Sequence, residues 1–137
     1  MRIGSSATLA FSGSLIAGLL LLVPAQAHHA FDAEFDGNKP VKIEGKVVKM
    51  EWINPHTWIT LDVEVDGKVE QWKVEGGSPN IMLRRGFTKQ SLETGTILVV
   101  EGFRARNGRN MASGRSVTFR DGTKLFTGGS ADTGAGN

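Results

Sequence analysis

Apolar and polar residues alternate through Val41-Lys42-Ile43-Glu44-Gly45-Lys46-Val47, the period of a half-buried β-strand. At Val47-Val48 two apolar residues adjoin, and the apolar phase continues on Val48, Met50 and Trp52. Such a slip predicts a β-bulge or sharp bend in one long first strand. Ile59, Leu61, Val63 and Val65 then alternate against Thr60, Asp62 and Glu64, and Asp66-Gly67 supplies a two-residue hairpin turn. Pairing Val65 with Lys68 sets Leu61 opposite Trp72 and Ile59 opposite Val74, two apolar pairs that support this register. The same register sets Val63 against Glu70, which is comfortable only if that end of the sheet is solvated. It also sets Trp58 against Glu75 and places His56 beside Gly77, on the face away from the core.

Ser78-Pro79-Asn80 reads as an N-cap followed by proline in the first turn, and Gly86 as a stop, so a short helix is expected over Pro79 to Arg85. Thr96 to Phe103 forms a fourth strand and Gly114 to Phe119 a fifth, with a turn at Asn107-Gly108. Asp121-Gly122 lets Lys124 to Phe126 pair back as a small extension. Three strands, a helix and two strands, with a bent first strand, predict an all-β domain with little helix. The expected architecture is an OB-like five-stranded antiparallel barrel with one short helix between strands 3 and 4. The domain occupies residues 41–126, after an N-terminal lead at 28–40. The tail 127–137, rich in glycine and small polar residues, is expected to be disordered.

The first 27 residues follow a different logic. Arg2, the apolar run Leu15 to Val23 and the small-x-small end Ala25-Gln26-Ala27 stand in the order of a secretory signal peptide, so the mature chain is expected to begin at His28. The apolar run is short for a membrane span, and export predicts a periplasmic or secreted protein. The chain has no cysteine, which excludes disulfides, thiolate metal sites and a lipoprotein anchor. Of 16 basic residues only Arg2 lies in the signal, so 15 remain against 14 acidic ones and the mature net charge is +1. That balance predicts no partner. Its distribution is uneven: residues 28–83 hold six Lys and ten Asp or Glu, and residues 84–124 hold nine Lys or Arg and three acids.

His28-His29-Ala30-Phe31, Glu51-Trp52-Ile53-Asn54-Pro55-His56-Thr57-Trp58, Glu75-Gly76-Gly77-Ser78-Pro79-Asn80 and Arg84-Arg85-Gly86 together resemble a family of small exported bacterial proteins known as domain of unknown function 6152. The resemblance covers nearly the whole mature chain. It implies export and a small β-rich domain, and brings no substrate, cofactor or catalytic residue.

The chain's three histidines are His28, His29 and His56. A histidine at a free N-terminus offers its α-amine and ring Nδ1 to one ion, and a second imidazole completes a three-nitrogen set suited to Cu(II), or to nickel or zinc. The expected metal site is therefore His28 and His56, with His29 nearby. The alternative makes His28 and His29 residues tolerated at a cleavage junction and His56 a turn residue. Asp32, Glu34 and Asp36 add either an outer-shell acceptor or a solvated acidic lead. Met50, Met82 and Met111, with Trp52, are read as core packing rather than thioether ligands.

Trp58 shares the outward phase of Thr60 and Asp62. It either stacks on a sugar, a base or a partner chain, or is covered by Phe31 as the N-terminal lead folds back. The latter also carries His28 or His29 toward His56. Trp58 with Arg84 and Arg85 forms the candidate partner surface, within a wider basic set of Lys89, Arg104, Arg106, Arg109, Arg115 and Arg120. Export argues against nucleic acid as the ligand. The sequence has no tyrosine, no Gly-x-Ser-x-Gly elbow and no pair of carboxylates forced together by spacing. A binding or accessory protein is favoured. A metal-free module for an exported protein or polysaccharide is the second reading, and a copper-dependent redox enzyme the third.

Overall fold

The computed structural model describes residues 30–131. Residues 30–34 are helical and lead into β1 (Phe35–Glu51), which is followed by β2 (Trp58–Val65) and β3 (Lys68–Glu75). Helix α1 (Pro79–Arg84) and a 3₁₀ turn (Gln90–Leu92) separate these from β4 (Ile97–Ala105), β5 (Met111–Phe119) and β6 (Lys124–Phe126). The sheet runs β3-β2-β1-β4-β5-β6, and β3 also pairs with β5 in parallel, at Lys73 with Met111 through Glu75 with Ser113. Five strands thus form a ring in the OB-like order, and β6 is appended to its edge. No helix among the described residues is long and apolar enough to cross a membrane.

The bulge stands where the apolar phase slips. Val47 pairs with Leu61 and Lys49 with Thr60, which leaves Val48 as the extra residue that bends β1 from one neighbour pair to the next. The β2–β3 register runs from Val65 with Lys68 to Trp58 with Glu75, as the hairpin predicts. Val63 does face Glu70, whose carboxylate is engaged by a polar network. Asn110 Nδ2 donates to Glu70 Oε2 at 2.9 Å, and Arg104 Nη2 donates to Asn110 Oδ1 at 3.2 Å.

Ile59, Leu61, Val74, Leu98, Val100 and Val117 fill the ring, and Met82 of α1 is buried against them. A second cluster at the other end joins Phe31, Phe35, Ala105 and Ala131, with Phe103 and Met111 packed on it. Met50 and Trp52 pack on the main core and Met111 on the second cluster, so Met50, Met82 and Met111 are all packing residues.

The two ends of the domain differ from the sequence reading. β1 begins at Phe35, inside the stretch read as a lead, because Phe35 pairs with Ala105 and Pro40 with Phe103 around an irregular turn at 36–39. Residues 127–131 are not free: Thr127 and Ala131 are buried, and Thr127 Oγ1 donates to Gly114 O at 2.6 Å. Residues 1–27, read above as a signal peptide, together with His28, His29 and residues 132–137, lie outside the described residues.

Candidate functional site

The approach to β2 and the exit from β3 hold each other through backbone. Thr57 N and Thr57 Oγ1 both donate to Gly77 O at 2.9 Å, and Gly76 N donates to Thr57 O at 2.9 Å. Thr57, just before β2, is buried, whereas the preceding residue, His56, is partly exposed. Gly76 and Gly77 permit this closeness. A Cβ on Gly76 would stand 2.6 Å from Thr57 Oγ1, and one on Gly77 would stand 2.5 Å from Thr127 O.

His56 Nδ1 lies 3.4 Å from Gly76 O and 3.5 Å from Glu75 Oε1. Glu75 is itself gripped from behind: Ser130 Oγ donates to Glu75 Oε1 at 2.7 Å, and Ser113 Oγ lies 3.0 Å from Ser130 Oγ. Burial pushes the Glu75 carboxyl above the usual carboxylate range. The Ser130 hydrogen bond and the His56 charge pull it down, and Glu34 pushes it up. Nδ1 faces two oxygens, so an Nδ1–H would donate to one of them, with Nε2 on the far side of the ring.

These groups open on a cavity of about 350 Å³. Phe31, Phe35, Trp58 and Ile81 give it apolar walls, and Glu34, His56, Glu75 and Ser130 give it polar ones. Ala30 lines it too, and in sequence Ala30 directly follows His28-His29. Among the described residues no group of three or more His, Cys, Asp or Glu could hold a metal ion.

The sequence-predicted residues are distributed unevenly around this cavity. His56 and Trp58 share it, with Lys73 Nζ 5.5 Å from the Trp58 ring centre. Phe31 also lines it, yet its ring contacts are with Phe35 and Phe103, each at 5.8 Å between centres. Arg84 and Arg85 are exposed at the end of α1 and line no part of it. The other arginines do not form one surface: Arg104 lies over Trp72 at 5.0 Å and Arg106 Nε donates to Asp32 O at 2.6 Å.

Glu75 and Ser130 are the site residues that sequence reasoning missed. Glu75 was legible as the partner of Trp58 but carried no sign of burial. Ser130 sits in a glycine-rich stretch indistinguishable by composition from a linker.

A family model described as "Family of unknown function (DUF6152)" matches residues 18–115, more than half of the chain. No curated protein and no solved structure gives a match.

Proposed function

The chain belongs to the DUF6152 family, whose function is unknown, and from its own site we propose an exported binding or accessory protein that takes Cu(II) at the His56 cavity. The α-amine and ring nitrogen of His28 supply two ligands, His56 Nε2 supplies the third, and His29 stands beside them. One observation carries this reading: Ala30, bonded to the His28-His29 pair, lines the same cavity as His56. The donor chemistry agrees. Metal-binding imidazoles characteristically donate their other ring N–H to a carbonyl or carboxylate, and His56 Nδ1 faces both, at Gly76 O and Glu75. Nitrogen ligands in this number suit Cu(II) above the other divalent ions.

A second reading rests on the apolar walls. Phe31, Phe35, Trp58 and Ile81 offer a surface for an exported partner protein or polysaccharide without metal.

Titrating Cu(II) into protein that begins at His28, beside the same protein with its N-terminal amine acetylated, separates the two. The first is expected to bind at least tenfold more tightly, because acetylation removes the amine ligand of His28. His56→Ala is expected to weaken the first and leave the second nearly unchanged. Equal affinity in the two forms overturns the copper reading, and retained tight binding in His56→Ala removes that residue from the site.

A further inference from the structure

A second cavity, of about 560 Å³, crosses β1, β4, β5 and β6, and shares no lining residue with the His56 cavity. Its lining carries three cations, Lys42, Arg115 and Lys124, against one carboxylate, Glu101. Glu101 is already answered: Lys124 Nζ donates to it, and Ser116 Oγ donates at 3.1 Å. Lys42 and Arg115 are exposed, and neither side chain makes a hydrogen bond or close ion pair among the described residues, although Lys42 stands opposite Glu101 on the β1–β4 ladder and its charge acts on that carboxyl. The groove therefore carries a charge excess of two.

The position of Arg115 is a built feature of the sheet. Glu101 pairs with Ser116 and Gly102 with Gly114, so Arg115 is the extra residue of a bulge. A Cβ on Gly102 would stand 2.1 Å from Ser113 O, so the close strand approach at this bulge requires glycine there. A bulge turns its extra side chain out of the regular alternation, and such re-aiming is a recurrent device beside binding sites. Next to this guanidinium lies Phe126, 40% exposed although apolar, with Lys124 Nζ 5.9 Å from its ring centre on one side and half-buried Phe103 also in the lining.

A guanidinium fork takes a carboxylate through two parallel hydrogen bonds, and an exposed phenyl ring takes the flat face of a ring-shaped body. We propose that this groove binds an acidic glycan, with ring-borne carboxylates on Arg115 and Lys42 and a sugar face on Phe126. A chain suits the site better than a lone small acid. The groove spans four adjacent strands, about 14 Å at a spacing of about 4.8 Å. Lys42 and Arg115 stand on β1 and β5, with β4 between them, so repeated carboxylates engage both and a single carboxylate engages one.

Calorimetric titration of the whole protein with trigalacturonate, and with a neutral galactose trisaccharide, tests this. The acidic trisaccharide is expected to bind and the neutral one not. Arg115→Gln and, separately, Lys42→Gln are each expected to weaken binding about tenfold or more. Arg115→Lys should recover only part of the loss, since it keeps the charge without the fork. Lys68→Gln, an exposed cation on β3 outside the groove lining, should change nothing. The proposal is overturned if the acidic trisaccharide does not bind, if the neutral one binds equally, or if the Arg115 and Lys42 variants bind like the parent. An equal loss in Lys68→Gln also overturns it, by marking diffuse charge attraction. None of these outcomes depends on copper, so this assignment and the metal reading stand or fall separately.

Discussion

His56 Nδ1 stands 3.5 Å from an oxygen of Glu75, and the two side chains live in different solvents: the histidine is 41% exposed and the glutamate 5%. A carboxylate withdrawn from water and held by Ser130 is a fixed acceptor, and an exposed ring facing it loses rotational freedom. The prediction is that Glu75→Ala weakens Cu(II) binding by about 10- to 100-fold, the range seen when outer-shell partners of metal-binding histidines are removed. Glu75→Gln keeps an oxygen acceptor and should lose less. Calorimetry gives the affinities. The copper hyperfine splitting in electron paramagnetic resonance should shift in Glu75→Ala if the ring has turned. Unchanged affinity and spectrum in Glu75→Ala would show that the carboxylate does not orient the ligand.

Phe31 is the anchor that keeps residues 30–34 on the ring. It is 8% exposed and stacks on Phe35 at 29° while meeting Phe103 edge-on at 84°. Truncating a buried phenylalanine costs about 3–5 kcal/mol. Most of that cost should appear locally, because Phe31 belongs to the second cluster and not to the core inside the ring. Phe31→Ala is therefore expected to speed amide hydrogen exchange at residues 30–34 far more than in β2 or β4. It should also weaken copper binding, although Phe31 offers no ligand, because Ala30 leaves the cavity wall.

The strand pattern was legible because burial on one face writes a period of two into the sequence. The slip at Val47-Val48 located a real bulge, and Asp66-Gly67 fixed the β2–β3 register residue by residue. The position of His56 beside Gly76-Gly77 followed from that register. What stayed hidden depends on contacts distant in sequence. The β3–β5 closure, the burial of Glu75 and the order of residues 127–131 all come from segments that meet only in the folded chain. Phe35 could not be read as strand because Asp36 to Lys39 interrupts the pattern that begins at Val41, and the pairing with Ala105 resumes beyond that interruption. The bulge at Arg115 was likewise silent, since Gly114 reads as a strand start and the strand begins at Met111.

Close backbone packing under the cavity gives a sharp contrast between two glycines. A Cβ on Gly77 would press on the backbone atoms Thr127 O at 2.5 Å and Gly128 C at 3.0 Å, whereas one on Gly37 would meet only Phe31 Cε1 at 3.9 Å. Backbone cannot swing aside as a flexible side chain can. Gly77→Ala should destabilise the protein by about 1–3 kcal/mol and displace residues 127–130, loosening the Ser130 hold on Glu75. Gly37→Ala should be close to neutral. Urea unfolding of both variants measures the difference, and equal midpoints would mean that the 127–130 segment yields without cost.

Acid should weaken the β4–β6 contact through Glu101. Hydrogen bonds from Lys124 and Ser116 hold the Glu101 carboxyl below its ordinary value of 4.5, against a small opposing effect of burial. A carboxyl with a lower pKa in the folded chain than in the unfolded one stabilises the fold fully above the unfolded value. That contribution disappears as pH falls through the folded value. The parent should therefore lose stability below about pH 4.5 more steeply than Glu101→Gln, whose amide does not titrate. Because the pair is exposed, the difference is expected to be small and to shrink further as salt screens it. Urea midpoints for both proteins at pH 7 and pH 3, in low and high salt, check the sign. A Glu101→Gln variant as acid-sensitive as the parent would show that the ion pair contributes nothing to the acid limb of stability.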